Sequence, residues 1–233
     1  MGKRAVILAG GKGTRLKPYT ISLPKPLVPV GDMPILETIV RQLKKHNFNH
    51  ITITVNHMAE IIQAYFGDGS KWGVKIDYSL EKMALSTMGP LTLIDDLPDN
   101  FLVMNGDVLT DLNFSNFFES HVQRNETFTI ASYVRSDKVE YGVLSGNSDG
   151  YLVKFEEKPT QEYLVSMGIY MMNRKNISFI PHNTFFGFDH LMNKLINDGQ
   201  YPYLYSFQGF WLDIGRPSDY EKALEEFDEA RFL

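Results

Sequence analysis

Continuous apolar runs alternate with helix-period patterns through the first half of the chain. Ala5 to Ala9 is apolar throughout, which predicts a strand over residues 4–9 buried on both faces. Pro34 suits a first helical turn, and Ile35, Ile39 and Leu43 recur every four residues, so residues 34–46 read as a helix. The β-branched run at 50–55, the alternating run at 75–79 and the apolar run at 101–105 predict further strands. Helices are predicted over 58–66, closed by Gly67, over 87–94, and over 115–124 with Ser115 as its cap. The second half is richer in strands, at 127–133, 151–156, 165–172 and 203–207, before a closing helix near 218–227. Phe185, Phe186 and Phe188 read as core or lobe packing.

This alternation predicts an α/β fold, a mostly parallel sheet with helices on both faces. No repeat or long linker interrupts it. Residues 1–233 therefore read as one domain, with an α/β half at about 1–125 and a strand-rich half at about 126–233. Apolar residues make up 43% and charged residues 22%, the balance of an ordinary globular chain. A net charge of −5 gives no electrostatic reason to expect nucleic acid or membrane as a partner. The absence of cysteine excludes disulfides and thiolate metal sites, and the six histidines show no ligand spacing. No stretch approaches the roughly 20 apolar residues that span a bilayer, and the run from Ala5 to Ala9 is too short for a signal peptide. A cytoplasmic location is the default expectation.

The first strand leads directly into Leu8-Ala9-Gly10-Gly11-Lys12-Gly13-Thr14-Arg15. Gly10, Gly11 and Gly13 leave backbone N–H groups free to face an anion without Cβ interference. The carboxyl edge of a parallel sheet is also where such folds bind ligands. A glycine turn alone is equally a tight strand-to-loop connection. Pro18, Pro24, Pro26 and Pro29, however, stiffen the segment that follows and hold Arg15 and Lys25 on a rigid frame. Two apolar segments end in carboxylates, Asn105-Gly106-Asp107 and Trp211-Leu212-Asp213-Ile214-Gly215. Each Asp taken singly reads as a cap or turn residue. Beside a phosphate loop each is also a Mg²⁺ ligand candidate, since Mg²⁺ takes one or two carboxylates plus phosphate oxygens and water. Asp111 reads as a turn residue, and Asp95, Asp96 and Asp99 as a solvated loop.

Gly10-Gly11-Lys12-Gly13-Thr14-Arg15-Leu16-Lys17-Pro18-Tyr19-Thr20 through Pro24-Lys25-Pro26 resembles the signature of the sugar-1-phosphate nucleotidyltransferases, G-G-x-G-T-R-L-x-P-x-T-x-x-x-P-K-P. The similarity runs over essentially the whole chain, and it is strongest to mannose- and heptose-1-phosphate guanylyltransferase members. It implies a Rossmann-like mixed sheet with a small β-rich sugar-binding lobe. It also implies Arg15 and Lys25 as catalytic residues, with Arg15 on the leaving pyrophosphate and Lys25 near the α-phosphate. Leu8, Ala9, Gly10, Gly11, Gly13, Thr14, Arg15, Glu81, Ser86, Thr87 and Gly106 would bind the nucleotide. Asp107 and Asp213 match the two metal carboxylates and imply Mg²⁺ as cofactor.

Glu81 precedes Ala84-Leu85-Ser86-Thr87-Met88-Gly89-Pro90-Leu91, where GTP-using members commonly read E-x-x-P-L-G-T-A-G-P-L. A carboxylate there can accept from guanine N1–H and the exocyclic amine, which tilts the expectation to GTP. A surface charge is the alternative for Glu81, and Ser86 and Met88 depart from the Gly and Ala usual there. Phe155-Glu156-Glu157-Lys158-Pro159 resembles the family's sugar-phosphate motif, implying Lys158 on the phosphate and Glu157 on sugar hydroxyls. Gly142, Ser166 and Gly168 fall in the segments that would face the sugar, with Ser166 standing where the family has Asn.

The implied reaction is in-line attack of a sugar 1-phosphate oxygen on the α-phosphorus of a nucleoside triphosphate. The nucleophile is already anionic, so no general base is required, and positioning and charge stabilisation carry the catalysis. Mannose or heptose 1-phosphate with GTP leads; UTP, dTTP or CTP with another sugar 1-phosphate is the alternative. A nucleotide-sugar-sensing subunit without activity and a metal-dependent glycosyltransferase are the rivals, and the second lacks its D-x-D motif here. The sequence ends soon after the last predicted helix, leaving no room for the left-handed β-helix that some relatives append. A homodimer is the base-rate assembly.

Overall fold

The computed structural model describes residues 2–232; Met1 and Leu233, the ends of the expected domain, lie outside the described residues. In chain order the elements are β1 (Lys3–Leu8), β2 (Pro29–Val30), β3 (Met33–Pro34), α1 (Ile35–Lys45), β4 (Phe48–Val55), α2 (Ala59–Phe66), β5 (Lys75–Leu80) and β6 (Asn100–Asn105). There follow β7 (Val108–Thr110), α3 (Phe114–Gln123), β8 (Phe128–Lys138), β9 (Val143–Gly146), β10 (Leu152–Glu156) and β11 (Thr160–Asn173). The chain closes with α4 (Phe188–Asn197), β12 (Tyr203–Phe207), β13 (Trp211–Asp213), α5 (Pro217–Glu226) and α6 (Glu229–Phe232).

Seven strands form one sheet in the order β12-β8-β11-β6-β1-β4-β5. Strands β6, β1, β4 and β5 run parallel, and β11 runs antiparallel to both β6 and β8. The sheet is therefore mixed and mostly parallel, as the alternation of elements predicts. Its central strands are apolar on both faces because both faces are covered. Ala5 and Ile7 of β1 and Leu102 and Met104 of β6 join the cluster that includes α1, α2 and α3 side chains. Val6, Phe101 and Val103 point into a second cluster with Leu191 and Leu195 of α4.

Three features depart from the sequence expectations. The cap of α3 is Asn113, whose side chain accepts from the Asn116 amide at 2.9 Å, while the Ser115 hydroxyl donates to the His46 carbonyl at 3.2 Å. Residues 87–94 form only a 3₁₀ turn, Gly89–Leu93, in which the Leu91 and Ile94 amides donate three residues back, to the Met88 and Leu91 carbonyls, at 3.1 and 3.3 Å. Helix α4 was not foreseen, although Phe188, Leu191, Met192 and Leu195 have helical spacing.

Strands β8 and β11 run on beyond the sheet as a two-stranded ribbon, with Thr160 opposite Lys138 at one end and Ser166 opposite Ser132 before a bulge. The antiparallel β9–β10 pair accompanies this ribbon as a mostly exposed lobe. No helix among the described residues is long and apolar enough to cross a membrane.

Candidate active site

Strand β1 has β4 on one side and β6 on the other. The chain leaves β1 toward β4, so its carboxyl end borders the crevice where connections diverge, the usual ligand position in such sheets. Leu8 and Asn105 are register partners at the ends of β1 and β6, and the Gly106 amide donates to the Leu8 carbonyl at 2.9 Å. The glycine loop and the Asn-Gly-Asp turn are thereby fixed side by side.

Two of the three loop glycines have a steric reason. A Cβ on Gly10 would lie 2.5 Å from Glu81 Oε1. Gly13 has φ of 60°, and a Cβ there would meet Lys25 Cβ and Thr20 Cγ2 at 3.0 Å. Thr20 closes the turn by donating to the Gly13 carbonyl at 2.8 Å. A side chain at residue 13 would therefore press on Lys25. Nζ of Lys25 donates to Oδ2 of Asp107, 82 residues away in the chain.

Asp213 reaches the same place by sheet pairing. It lies opposite Val108 in the antiparallel β7–β13 ladder, and the Ile214 amide donates to the Asp107 carbonyl at 3.1 Å. Loss of water pushes the Asp213 carboxyl above its usual range, and the neighbouring Asp107 pushes it further, while Lys25 and Arg15 act in the opposite direction. The structure thus brings Arg15, Lys25, Asp107 and Asp213 together.

A cavity of about 320 Å³ adjoins this group. Its wall includes Leu8, Ala9, Gly10 and Gly11 from the loop, Gly106 and Asp107 from the turn, and Glu81, Ser86 and Thr87 from the segment after β5. Glu81 is buried, at 7% exposure, rather than a surface charge. Its Oε2 accepts from the Leu85 amide at 3.2 Å, which favours the charged form, but burial dominates and raises the carboxyl above the ordinary glutamate value. Thr87 is held by the Phe188 amide, which donates to its hydroxyl at 2.8 Å.

Other sequence-selected residues stand elsewhere. Thr14 is exposed in the 3₁₀ turn after Gly13, off the cavity wall. Gly142 and Glu157 meet in the lobe, where a Cβ on Gly142 would lie 3.4 Å from Glu157 Oε2. Lys158 is exposed beside them with φ of 44°. Gly168 sits at the β11 bulge with φ of 73°, where a Cβ would lie 2.6 Å from Asn105 Nδ2. The Ser166 hydroxyl accepts from the Gly168 amide at 3.3 Å and lies 3.1 Å from the Tyr170 hydroxyl, facing an apolar groove beside Phe188 and Met192. None of Gly142, Glu157, Lys158 and Ser166 lines the cavity at Glu81. Asp111 accepts from the Phe210 amide at 2.7 Å and pairs with Arg231 at 3.3 Å, tying β7 to the C-terminal segment.

Sequence reasoning missed Asn105 and Phe185, both on the cavity wall. Asn105 stood inside a motif already singled out. Phe185 is not the packing residue the sequence suggested: it is exposed on the cavity wall, whereas its neighbours Phe186 and Phe188 do pack inside.

Among the described residues no group of three or more metal-ligating side chains occurs. The donor set still suits a divalent cation of the Mg²⁺ kind. Two carboxylates converge, and the buried Oδ1 of Asp107 has no hydrogen-bond partner in the protein.

A Synechocystis UTP–glucose-1-phosphate uridylyltransferase is 34% identical over 242 residues, covering 95% of this chain. The mannose-1-phosphate guanylyltransferase catalytic subunit beta of Danio rerio is 34% identical over 226 residues, covering 93% of this chain. The chain spans 62% of the length of each of these curated relatives. Among solved structures, HddC from Yersinia pseudotuberculosis complexed with GMP-PN superposes with a TM-score of 0.72 at 27% identity, covering 98% of this chain and 100% of that one. A Bacillus anthracis structure shares the fold with a TM-score of 0.77 at 23% identity, covering 98% of both chains. The nucleotidyl transferase family model matches residues 4–230, nearly the whole sequence, and the chain belongs to that family.

Proposed function

We propose that this chain transfers a nucleoside monophosphate from a nucleoside triphosphate to a sugar 1-phosphate and releases pyrophosphate. The observation that carries this reading is the convergence of Lys25, Arg15, Asp107 and Asp213 beside a cavity with a buried carboxylate, Glu81, at its wall. In the reaction a phosphate oxygen of the sugar 1-phosphate attacks the α-phosphorus. The bond to the β-phosphate breaks, and its electron pair leaves with pyrophosphate. Both partners are anions, so the barrier is dominated by their repulsion.

Lys25 and Arg15 offset that repulsion with fixed positive charge, Arg15 on the leaving pyrophosphate through its planar fork. Asp107 and Asp213 would hold Mg²⁺, which supplies charge neutralisation on the phosphate oxygens when bound. Gly10 and Gly11 allow close approach of the phosphates to the backbone. Gly142, Glu157 and Lys158 would bind the sugar phosphate from the lobe, and Ser166 and Gly168 would shape the bulge beneath it.

For the base we propose guanine, and for the sugar a mannose- or heptose-type 1-phosphate. A buried carboxylate with one oxygen engaged by Leu85 suits a base edge with paired N–H donors. Several similar relatives are named mannose-1-phosphate guanylyltransferases, and HddC was solved with GMP-PN. The Synechocystis relative named for UTP and glucose 1-phosphate supports the alternative pairing.

The test is a matrix of four nucleoside triphosphates against a panel of sugar 1-phosphates, reading pyrophosphate release with Mg²⁺. GTP with a mannose- or heptose-type substrate should be fastest, and Glu81→Gln should narrow the preference for GTP over UTP. Release fastest with UTP and glucose 1-phosphate, unmoved by Glu81→Gln, would remove the guanine assignment. No release from any pair would remove the reaction itself.

A further inference from the structure

Asp213 borders a second cavity, of about 700 Å³, on whose wall Arg15, Arg135, Arg216 and Lys222 also lie. These four cations are not equally engaged. Nε of Arg135 donates to Asp137 Oδ1 at 2.9 Å, and Lys222 Nζ stands 3.8 Å from Glu226 Oε1. Among the described residues, neither the Arg15 nor the Arg216 guanidinium has a hydrogen bond or ion pair within the protein. Of the acids on the same wall, Asp137 is taken by Arg135 and Asp213 belongs to the carboxylate pair, which leaves Asp219.

Arg216 is held in place by its backbone, not by its side chain. Its carbonyl accepts from the amides of Asp219 and Tyr220, each at 3.1 Å, at the start of α5. The residue is exposed, so its five N–H donors are presented to the cavity without a structural task. Two guanidinium forks without hydrogen-bond partners in the protein, that of Arg15 near enough to Asp213 to act on its charge, suit phosphate oxygens, which they can contact in pairs.

We propose that Arg216 is a second phosphate-binding residue, which with Arg15 clamps phosphate oxygens in the cavity bordered by Asp213. The identity of the ligand rests on the nucleotidyl-transfer reading, which offers two sources of such oxygens, pyrophosphate and the sugar 1-phosphate. The carboxylate pair links this cavity to the one at Glu81, because Asp107 borders the first and Asp213 the second.

Isothermal titration calorimetry on the full chain with Mg²⁺, using inorganic pyrophosphate and separately mannose 1-phosphate, tests this without requiring turnover. Arg216→Ala should weaken binding of one of them about tenfold or more, with partial recovery in Arg216→Lys, and should leave the melting temperature unchanged. A loss confined to pyrophosphate assigns the cavity to the leaving group, and a loss confined to mannose 1-phosphate assigns it to the acceptor. Unchanged binding of both in Arg216→Ala, or no binding of either by the wild type, overturns the proposal. In active enzyme the KM of the affected ligand should rise more than kcat falls. A wild type that binds pyrophosphate through Arg216 yet releases none from any substrate pair would sink the transfer reading and leave the phosphate clamp standing.

Discussion

Lowering the pH from neutrality toward 4 should charge a histidine that the fold keeps neutral. His121 on α3 is fully buried, at 0% exposure. Its Nδ1 lies 2.8 Å from the Thr129 hydroxyl and its Nε2 3.2 Å from Asn100 Oδ1. Asn100 Oδ1 also accepts from Asn173 Nδ2 at 2.9 Å, so Nε2 carries the proton and Nδ1 accepts from Thr129. Burial depresses the imidazole from 6.5 to about 4, and no carboxylate contributes an opposing pull. Between those two values the unfolded chain binds a proton that the folded chain refuses. The contribution is therefore complete above the unfolded value of 6.5 and is lost as the pH falls toward the folded value of about 4. At about 1.4 kcal/mol for each pH unit of separation, the loss is about 3 kcal/mol. Carboxylates add their own acid sensitivity, so the quantity to measure is a difference. Urea unfolding of the wild type and of His121→Gln should be followed from pH 7 to pH 4, and the wild type should lose about 3 kcal/mol more than the variant. Parallel stability curves, or a His121 resonance in the wild type titrating near 6.5, would refute the reasoning.

On the nucleotidyl-transfer reading each of Asp107→Ala and Lys25→Ala removes a charge that would face the reacting phosphates, so either should lower pyrophosphate release by about 10² or more, with circular dichroism unchanged. Normal turnover in either variant would strike that residue from the site. Gly10→Ala places a Cβ 2.5 Å from Glu81 Oε1, so the KM for the preferred triphosphate should rise about tenfold. Glu81→Ala combined with it should show no further loss, and simple additivity in that double mutant would argue that the two positions do not touch. Asn113→Ala should destabilise the protein by about 1 kcal/mol in chemical denaturation through loss of the α3 cap; an unchanged midpoint would return the cap to another residue.

Much of the sheet was legible because its central strands are covered on both sides. Ala5–Ile7 and Phe101–Met104 are apolar at every position, a pattern that solvent-facing strands do not show. The loop at Gly10–Gly13 and the carboxylates Asp107 and Asp213 were legible as candidate chemistry. Their meeting was not, because no local rule tells a reader that Lys25 finds Asp107 or that β13 pairs with β7. The cap of α3 was misplaced by two residues because Asn113 and Ser115 are both good cap formers, and only the backbone path decides between them. Helix α4 has the spacing but opens on Gly187, with no side-chain cap, and directly after a run of aromatics, so its start carries no capping signal. Arg216 was invisible for a different reason. An exposed arginine before a proline helix start carries no pattern of its own, and only the cavity in front of it gives it significance.

The β7–β13 ladder also has a consequence for biogenesis. It joins a carboxylate from the middle of the polypeptide to one made much later, so Lys25 and Asp107 are synthesised well before the second acid. On the nucleotidyl-transfer reading, catalytic competence would await the pairing of that late strand with its partner. Until β13 pairs with β7, a nascent chain would lack half of the anionic pair.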